Sequence, residues 1–373
     1  MQHSTPHALI AGIAASLLLV TSTGHGLAWA DDNDDAAPGT VINEPGAETN
    51  PMPTPGFPLG GKYNYPAKGS DFNDSTPAPY TVINYGGIPH KGPNFVNIGD
   101  SHTVTAWLPS TVPGDPCMHN EFGFAQVVGQ KTSLPVRDAS CAGAAIEEYW
   151  HTGSTFVGKI PKAAQRLAIN KNTTLVVASL GGNDTYLDTA AELMTKCAKR
   201  WKKGDACSPY LAPSMMGRAR VLSPAIYYML KDIKARAASN AIIIAMGYYS
   251  PFPKNFDGCP AEKIVPKGDI VFFREFVEEL NHQMQLAARK AGVIFYNPSQ
   301  YIDFNTSSCG APFQRYIVTA GAPEINMPIH PTLFGHWKSA DTVVNLYNQE
   351  LQARKAGESI APATWTIPYG VRG

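Results

Sequence analysis

Thr174-Leu175-Val176-Val177-Ala178-Ser179-Leu180-Gly181-Gly182-Asn183-Asp184 decides the fold of this 373-residue chain. A β-branched, largely apolar run goes on without polar alternation and stops at two glycines. An alternating strand has one wet face, whereas a short continuous apolar run is a strand buried on both faces. The pattern recurs at Ala241-Ile242-Ile243-Ile244-Ala245-Met246 and, after Gly292, at Val293-Ile294-Phe295-Tyr296. Upstream, Asn94-Phe95-Val96-Asn97-Ile98 is a shorter strand ending at Gly99. Helical periodicity covers residues 223–238 and 271–291, and apolar spacing predicts another helix over 156–169. Buried strands alternating with helices predict an α/β protein: a three-layer α/β/α sandwich with a central parallel sheet. The domain is expected to span residues 93–356, followed by a tail over 357–373.

Outside that domain the composition changes. Residues 1–30 contain no Asp, Glu, Lys or Arg, although His3 and His7 stand near the start. Residues 8–20 are apolar but too few to span a bilayer comfortably. Ala28-Trp29-Ala30 then offers a small-x-small cleavage site before the acidic run 31–35. This layout predicts a signal peptide over 1–30 and a secreted or envelope-associated product with no later transmembrane segment. Residues 31–92 are rich in Pro and Gly, with Pro45, Pro51, Pro53, Pro55 and Pro58 close together. They are expected to form an N-terminal extension whose second half lies against the domain. The acidic run lacks the ligand spacing of a calcium loop and reads as a solvated terminus.

Hydrophobic residues are 44% of the chain, enough for a sizeable core. Lys+Arg and Asp+Glu both total 30, so no strong charge field exists to hold nucleic acid. An apolar lipid substrate needs no such field. A monomer is the default expectation. The six cysteines Cys117, Cys141, Cys197, Cys207, Cys259 and Cys309 are an even set, which suggests three disulfides in an exported chain. Six cysteines allow fifteen connectivities, and their spacing does not choose among them. No C-x-x-C is present, so neither a zinc ribbon nor a thioredoxin-like pair is expected.

Sites in open parallel sheets form at the carboxyl ends of the strands. After the first strand comes Gly99-Asp100-Ser101-His102, a turn that exposes a Ser Oγ and offers its N–H to an anion. After the next comes Gly181-Gly182-Asn183-Asp184, where an Asn amide aims at the same place. Late in the chain, Pro328-Ile329-His330-Pro331-Thr332 holds a His in a rigid loop, and an imidazole titrates near neutrality as a general base must. Each block is common alone; their order and placement carry the signal.

Together the blocks resemble the SGNH (GDSL-type) hydrolase superfamily. More narrowly, residues 94–346 resemble its secreted actinobacterial esterase and lipase branch with three disulfides. The resemblance implies Ser101 as nucleophile and His330 as catalytic base. It implies an oxyanion hole of Ser101, Gly143 (in Asp138-Ala139-Ser140-Cys141-Ala142-Gly143-Ala144) and Asn183. It also implies the sequential pairing Cys117–Cys141, Cys197–Cys207 and Cys259–Cys309. The usual Asp three residues before the His is replaced by Met327. The Met327 backbone carbonyl, or a near neighbour, is therefore expected to orient the imidazole, as in similar members lacking the acid; Glu324 and Asp303 are the side-chain substitutes. The turn after Ser101 also lacks the glycine often found there.

The chemistry that the resemblance implies is acyl transfer without metal or organic cofactor. Ser101 attacks the ester carbonyl, His330 moves the proton, and the oxyanion is held by the three donors. The implied substrate is a lipid or a small-molecule ester with a short-to-medium acyl group. A carbohydrate O-acetylesterase and a non-catalytic envelope binding protein are the alternatives. Asp100 and Asp184 read as capping or loop-holding residues. His102 is expected to point away from the nucleophile, and His336 to brace its loop. Trp107, Tyr186, Tyr248, Tyr249, Phe252 and Phe334 are candidates to line an acyl pocket or to be ordinary aromatics.

Overall fold

The computed structural model describes residues 83–85, 93–105, 108–155, 161–185, 190–321 and 323–365. The expected signal peptide, most of the expected extension, Trp107 and Tyr186 lie outside them. Ten strands occur among the described residues: β1 (Ile83–Tyr85), β2 (Asn94–Gly99), β3 (Val136–Asp138), β4 (Gly153–Ser154), β5 (Pro161–Lys162), β6 (Thr173–Ser179), β7 (Ile242–Met246), β8 (Ile294–Tyr296), β9 (Ile317–Val318) and β10 (His330–Pro331). Six of them form one sheet in the order β1-β3-β2-β6-β7-β8. From β3 to β8 every pairing is parallel, and β1 joins β3 antiparallel. The parallel sheet predicted from the continuous apolar runs is thus observed.

Alternate residues of the same strands feed two cores. Val96, Ile98, Val176, Ala178, Ile243 and Ala245 pack with the helices Ser223–Arg236 and Lys267–Ala291. Phe95, Leu175, Val177, Ile242, Ile244 and Met246 pack on the other face with Phe124–Thr132 and Leu333–Lys355. Burial on both faces is why the strands show no polar alternation. It yields the three layers.

The helix expected over 156–169 is not formed where the structure describes that stretch. Residues Pro161–Lys162 pair with β4, and Gln165–Ala168 make a single 3-10 turn. Pro161 supplies no N–H to a helix, and the Gln165 side chain is committed elsewhere. Strand β3 escapes periodicity because it has only three residues.

Both ends of the domain reach further than the expected 93–356. Strand β1 comes from the segment read as an extension. Beyond residue 356, Thr364 Oγ1 accepts the Phe295 N–H at 3.0 Å, and Trp365 Nε1 donates to the Val293 carbonyl at 2.8 Å. The cysteines form the pairs Cys117–Cys141, Cys197–Cys207 and Cys259–Cys309. No helix among the described residues is long and apolar enough to cross a membrane.

Candidate active site

Ser101 is the first residue of the short helix Ser101–Val104, directly beyond β2. Asp100 caps it, its Oδ1 accepting the His102 N–H at 2.8 Å. As a first-turn residue, Ser101 has an N–H without an intrahelical acceptor. The turn needs glycine at 99, since a Cβ there would collide with Thr103 Oγ1. Gln165 holds Gly99 from the side, accepting its N–H at 2.9 Å and donating to its carbonyl at 2.8 Å. No local sequence signal marks Gln165.

Gly143 and Asn183 are brought together by hydrogen bonds to the backbone. Asn183 sits in a 3-10 turn past the end of β6, and its Nδ2 donates to the Ala144 carbonyl at 2.9 Å. Asp184 holds the same loop, accepting the Ile146 N–H with both carboxylate oxygens. Gly143 is exposed at φ +78°, a left-handed turn suited to glycine. The loop is tied to β2 by the Cys141 N–H, which donates to the Gly99 carbonyl at 3.1 Å.

His330 opens β10, paired with Val318 of β9, and the Ser101 helix packs against β10. Its Nδ1 lies 2.7 Å from the Pro328 carbonyl. A carbonyl only accepts, so Nδ1 carries the proton and Nε2 the lone pair. The orienting carbonyl therefore belongs to Pro328 and not to Met327. Ile329 adopts φ +61°, which turns the chain back so that the carbonyl two residues upstream meets the ring. Glu324 is engaged by Arg315 and by the Phe313 N–H. Asp303 accepts from Thr306. Both acids are thus committed away from the imidazole.

Three histidines gather here with different electrostatics. Burial pushes the His330 pKa down, and the Pro328 contact opposes this, leaving a net lowering. His102 is held well below its ordinary value by burial and then by His330 and His336, and its Nε2 already accepts the Tyr249 N–H at 3.0 Å. The His102 and His330 ring centres are 6.5 Å apart. His336 is pushed down to about 3, chiefly by burial, and its Nδ1 accepts the Phe124 N–H. Both neighbours are thus committed as neutral acceptors. Asp100 is raised to about 7 by burial, despite hydrogen bonds from Tyr248 and His102.

A small apolar cavity is lined by Ile329, the residue before His330, with Trp201, Phe252, Ile264, Val265 and Phe273. Of the aromatics that the sequence offers as pocket candidates, Phe252 lines it. Tyr249 gives its hydroxyl to the Gly335 carbonyl, and Phe334 is exposed beside Trp337.

Among solved structures, the chain is similar to a phospholipase A1 from Streptomyces albidoflavus NA297. Identity is 19% and the TM-score 0.54, over 68% of this chain and 98% of that one. It is also similar to an extracellular lipase from Streptomyces rimosus, at 18% identity and TM-score 0.54, over 68% of this chain and 99% of that one. No family model and no curated protein matches the chain. What is shared at these identities is the architecture, a three-layer α/β/α fold around a central parallel sheet, as the continuous apolar strands predicted.

Proposed function

We propose that the chain is a secreted serine ester hydrolase that cleaves carboxylic esters by acyl transfer. The observation that carries this reading is the tautomer of His330: Nδ1 is spent on Pro328, so Nε2 is the basic nitrogen, on a strand packed against the helix that Ser101 begins. His330 Nε2 takes the proton of Ser101 Oγ as the oxygen attacks the ester carbonyl. The tetrahedral oxyanion is received by the N–H groups of Ser101 and Gly143 and by the Asn183 amide. Collapse expels the alcohol, which takes the proton from His330. Water then attacks the acyl-enzyme with His330 again as base, releasing the acid and freeing Ser101. A dyad serves because a backbone carbonyl does the orienting that a side-chain acid does in a triad.

The Streptomyces structures with this fold are a phospholipase A1 and a lipase, which fits a lipid or a short-to-medium acyl ester. Export follows from the expected signal peptide, and three disulfides suit an oxidising compartment.

The test is covalent labelling by a fluorophosphonate, with hydrolysis of p-nitrophenyl esters from acetyl to palmitoyl. Wild type is expected to be labelled at Ser101 and active, and Ser101→Ala to be neither. Folded, oxidised wild type that resists the label and cleaves none of the esters would overturn the reading. Activity on sugar acetates alone would replace the substrate class and keep the chemistry.

A further inference from the structure

Past the end of β7 the chain continues as Gly247-Tyr248-Tyr249, and this segment reaches both halves of the candidate site. The Tyr248 hydroxyl donates to Asp100 Oδ2 at 2.6 Å and accepts the Gly182 N–H at 2.9 Å. Asp100 immediately precedes Ser101, and Gly182 immediately precedes Asn183. One phenol oxygen therefore joins the turn that presents the nucleophile to the turn that presents the side-chain oxyanion donor. The proton directions suit it: the amide must donate, an ionised Asp100 accepts, and a hydroxyl does both.

The bridge is anchored from behind. Asn281, on the helix Lys267–Ala291, accepts the Tyr248 N–H at 2.7 Å and donates to its carbonyl at 2.9 Å. Ser299 Oγ donates to the same carbonyl at 2.8 Å. The next residue, Tyr249, donates its N–H to His102 at 3.0 Å. The ring is buried, and Gly182 lies so close that a Cβ there would stand 3.0–3.2 Å from its atoms. The hydroxyl's two partners are the residues just before the reacting groups, not the reacting groups themselves.

We propose that Tyr248 is a positioning residue that sets the spacing between the Ser101 turn and the Asn183 turn, and thereby aligns oxyanion donor with nucleophile. This rests on the assignment of Ser101 as nucleophile and Asn183 as oxyanion donor. Displacement of a donor by a fraction of its hydrogen-bond length weakens the transition state more than the bound substrate, so the effect belongs in kcat.

Tyr248→Phe keeps the ring and removes only the bridge. On a p-nitrophenyl ester, kcat is expected to fall roughly tenfold to a hundredfold, with KM within about twofold of wild type. In an Asn183→Ala background, where the donor to be aligned is gone, the same substitution is expected to cost about threefold or less. Gly182→Ala, whose Cβ would stand 3.0–3.2 Å from the ring and press on it, is expected to show the same split and the same coupling. It supplies the test if Tyr248→Phe does not fold by near-ultraviolet circular dichroism. Wild-type kcat in Tyr248→Phe, a loss in KM alone, or an equal loss with and without Asn183 overturns the inference. Wild type that a fluorophosphonate fails to label at Ser101 overturns the underlying assignment instead.

Discussion

Gln165 grips Gly99 by both of its backbone groups, accepting the N–H at 2.9 Å and donating to the carbonyl at 2.8 Å. A primary amide here does what a neighbouring strand would do, at the point where β2 gives way to the Ser101 turn. Gln165→Leu keeps the bulk and leaves the buried Gly99 N–H unpaired. A loss of about 1–3 kcal/mol is expected in urea unfolding. An unchanged midpoint and slope would mean that the amide contributes nothing to the fold.

The Asn183 side chain donates to the Ala144 carbonyl, which fixes the amide plane, and the proposed mechanism assigns its second N–H to the oxyanion. Asn183→Ala is expected to lower kcat about a hundredfold to a thousandfold with little change in KM. Steady-state kinetics on one ester checks it. A variant that loses KM and keeps kcat would place Asn183 in ground-state binding.

His330 must be neutral to act as base, and burial keeps its pKa below 6.5. Activity should therefore be full at neutral pH and decline as pH falls through that lowered value. The log of kcat/KM against pH is the measurement. An acid limb centred above 6.5 that persists in Asp100→Asn would contradict a neutralised, buried base.

Asp100 ionises at about 7 in the fold, against an ordinary 3.8. Between these values the folded protein holds a proton that the unfolded chain has released, so this group makes stability fall as pH rises from about 4 to about 7. Asp100→Asn retains a good helix cap and has no charge to bury. Its Tm is expected to depend less on pH across that window than the wild-type Tm. Parallel profiles would show that Asp100 is not held protonated.

His119 is fully buried, with Nδ1 2.8 Å from Asp115 and Nε2 3.8 Å from Asp138. Burial works against its charge, but Asp138 and Asp115 prevail and the pKa is raised. The stabilisation is complete below the ordinary value of 6.5 and is lost as pH rises through the raised one. His119→Ala removes the positive partner of Asp115 and of Asp138, whose own pKa burial raises, and is expected to cost about 3–5 kcal/mol in urea unfolding at neutral pH. A loss below about 1 kcal/mol would mean that the pair is solvated or protonated.

Strands β6 and β7 are legible in the sequence because burial on both faces leaves an uninterrupted apolar run. The site blocks are legible because each is a short turn next to such a run. What escapes is non-local or conformational. Gln165 is 66 residues from the glycine it holds, and nothing in its own neighbourhood marks that. The carbonyl facing His330 belongs to Pro328, because a β-branched residue, Ile329, takes a left-handed conformation that local preference disfavours. In sequence Tyr248 is only an aromatic near a strand end; its bridging contacts come from where the fold carries its hydroxyl.

The sheet is bounded by the two ends of the domain. On one side a three-residue strand, β1, occupies β3; on the other, Thr364 and Trp365 take up polar groups beside β8. An open strand edge is a template for pairing with a second chain, and short edges or covering segments blunt it. A recombinant version trimmed to residues 93–356 would keep every candidate catalytic group and still lose both guards. Its hazard would be self-association through the bared edges, and inactivity in such a fragment would speak of aggregation before it spoke of chemistry.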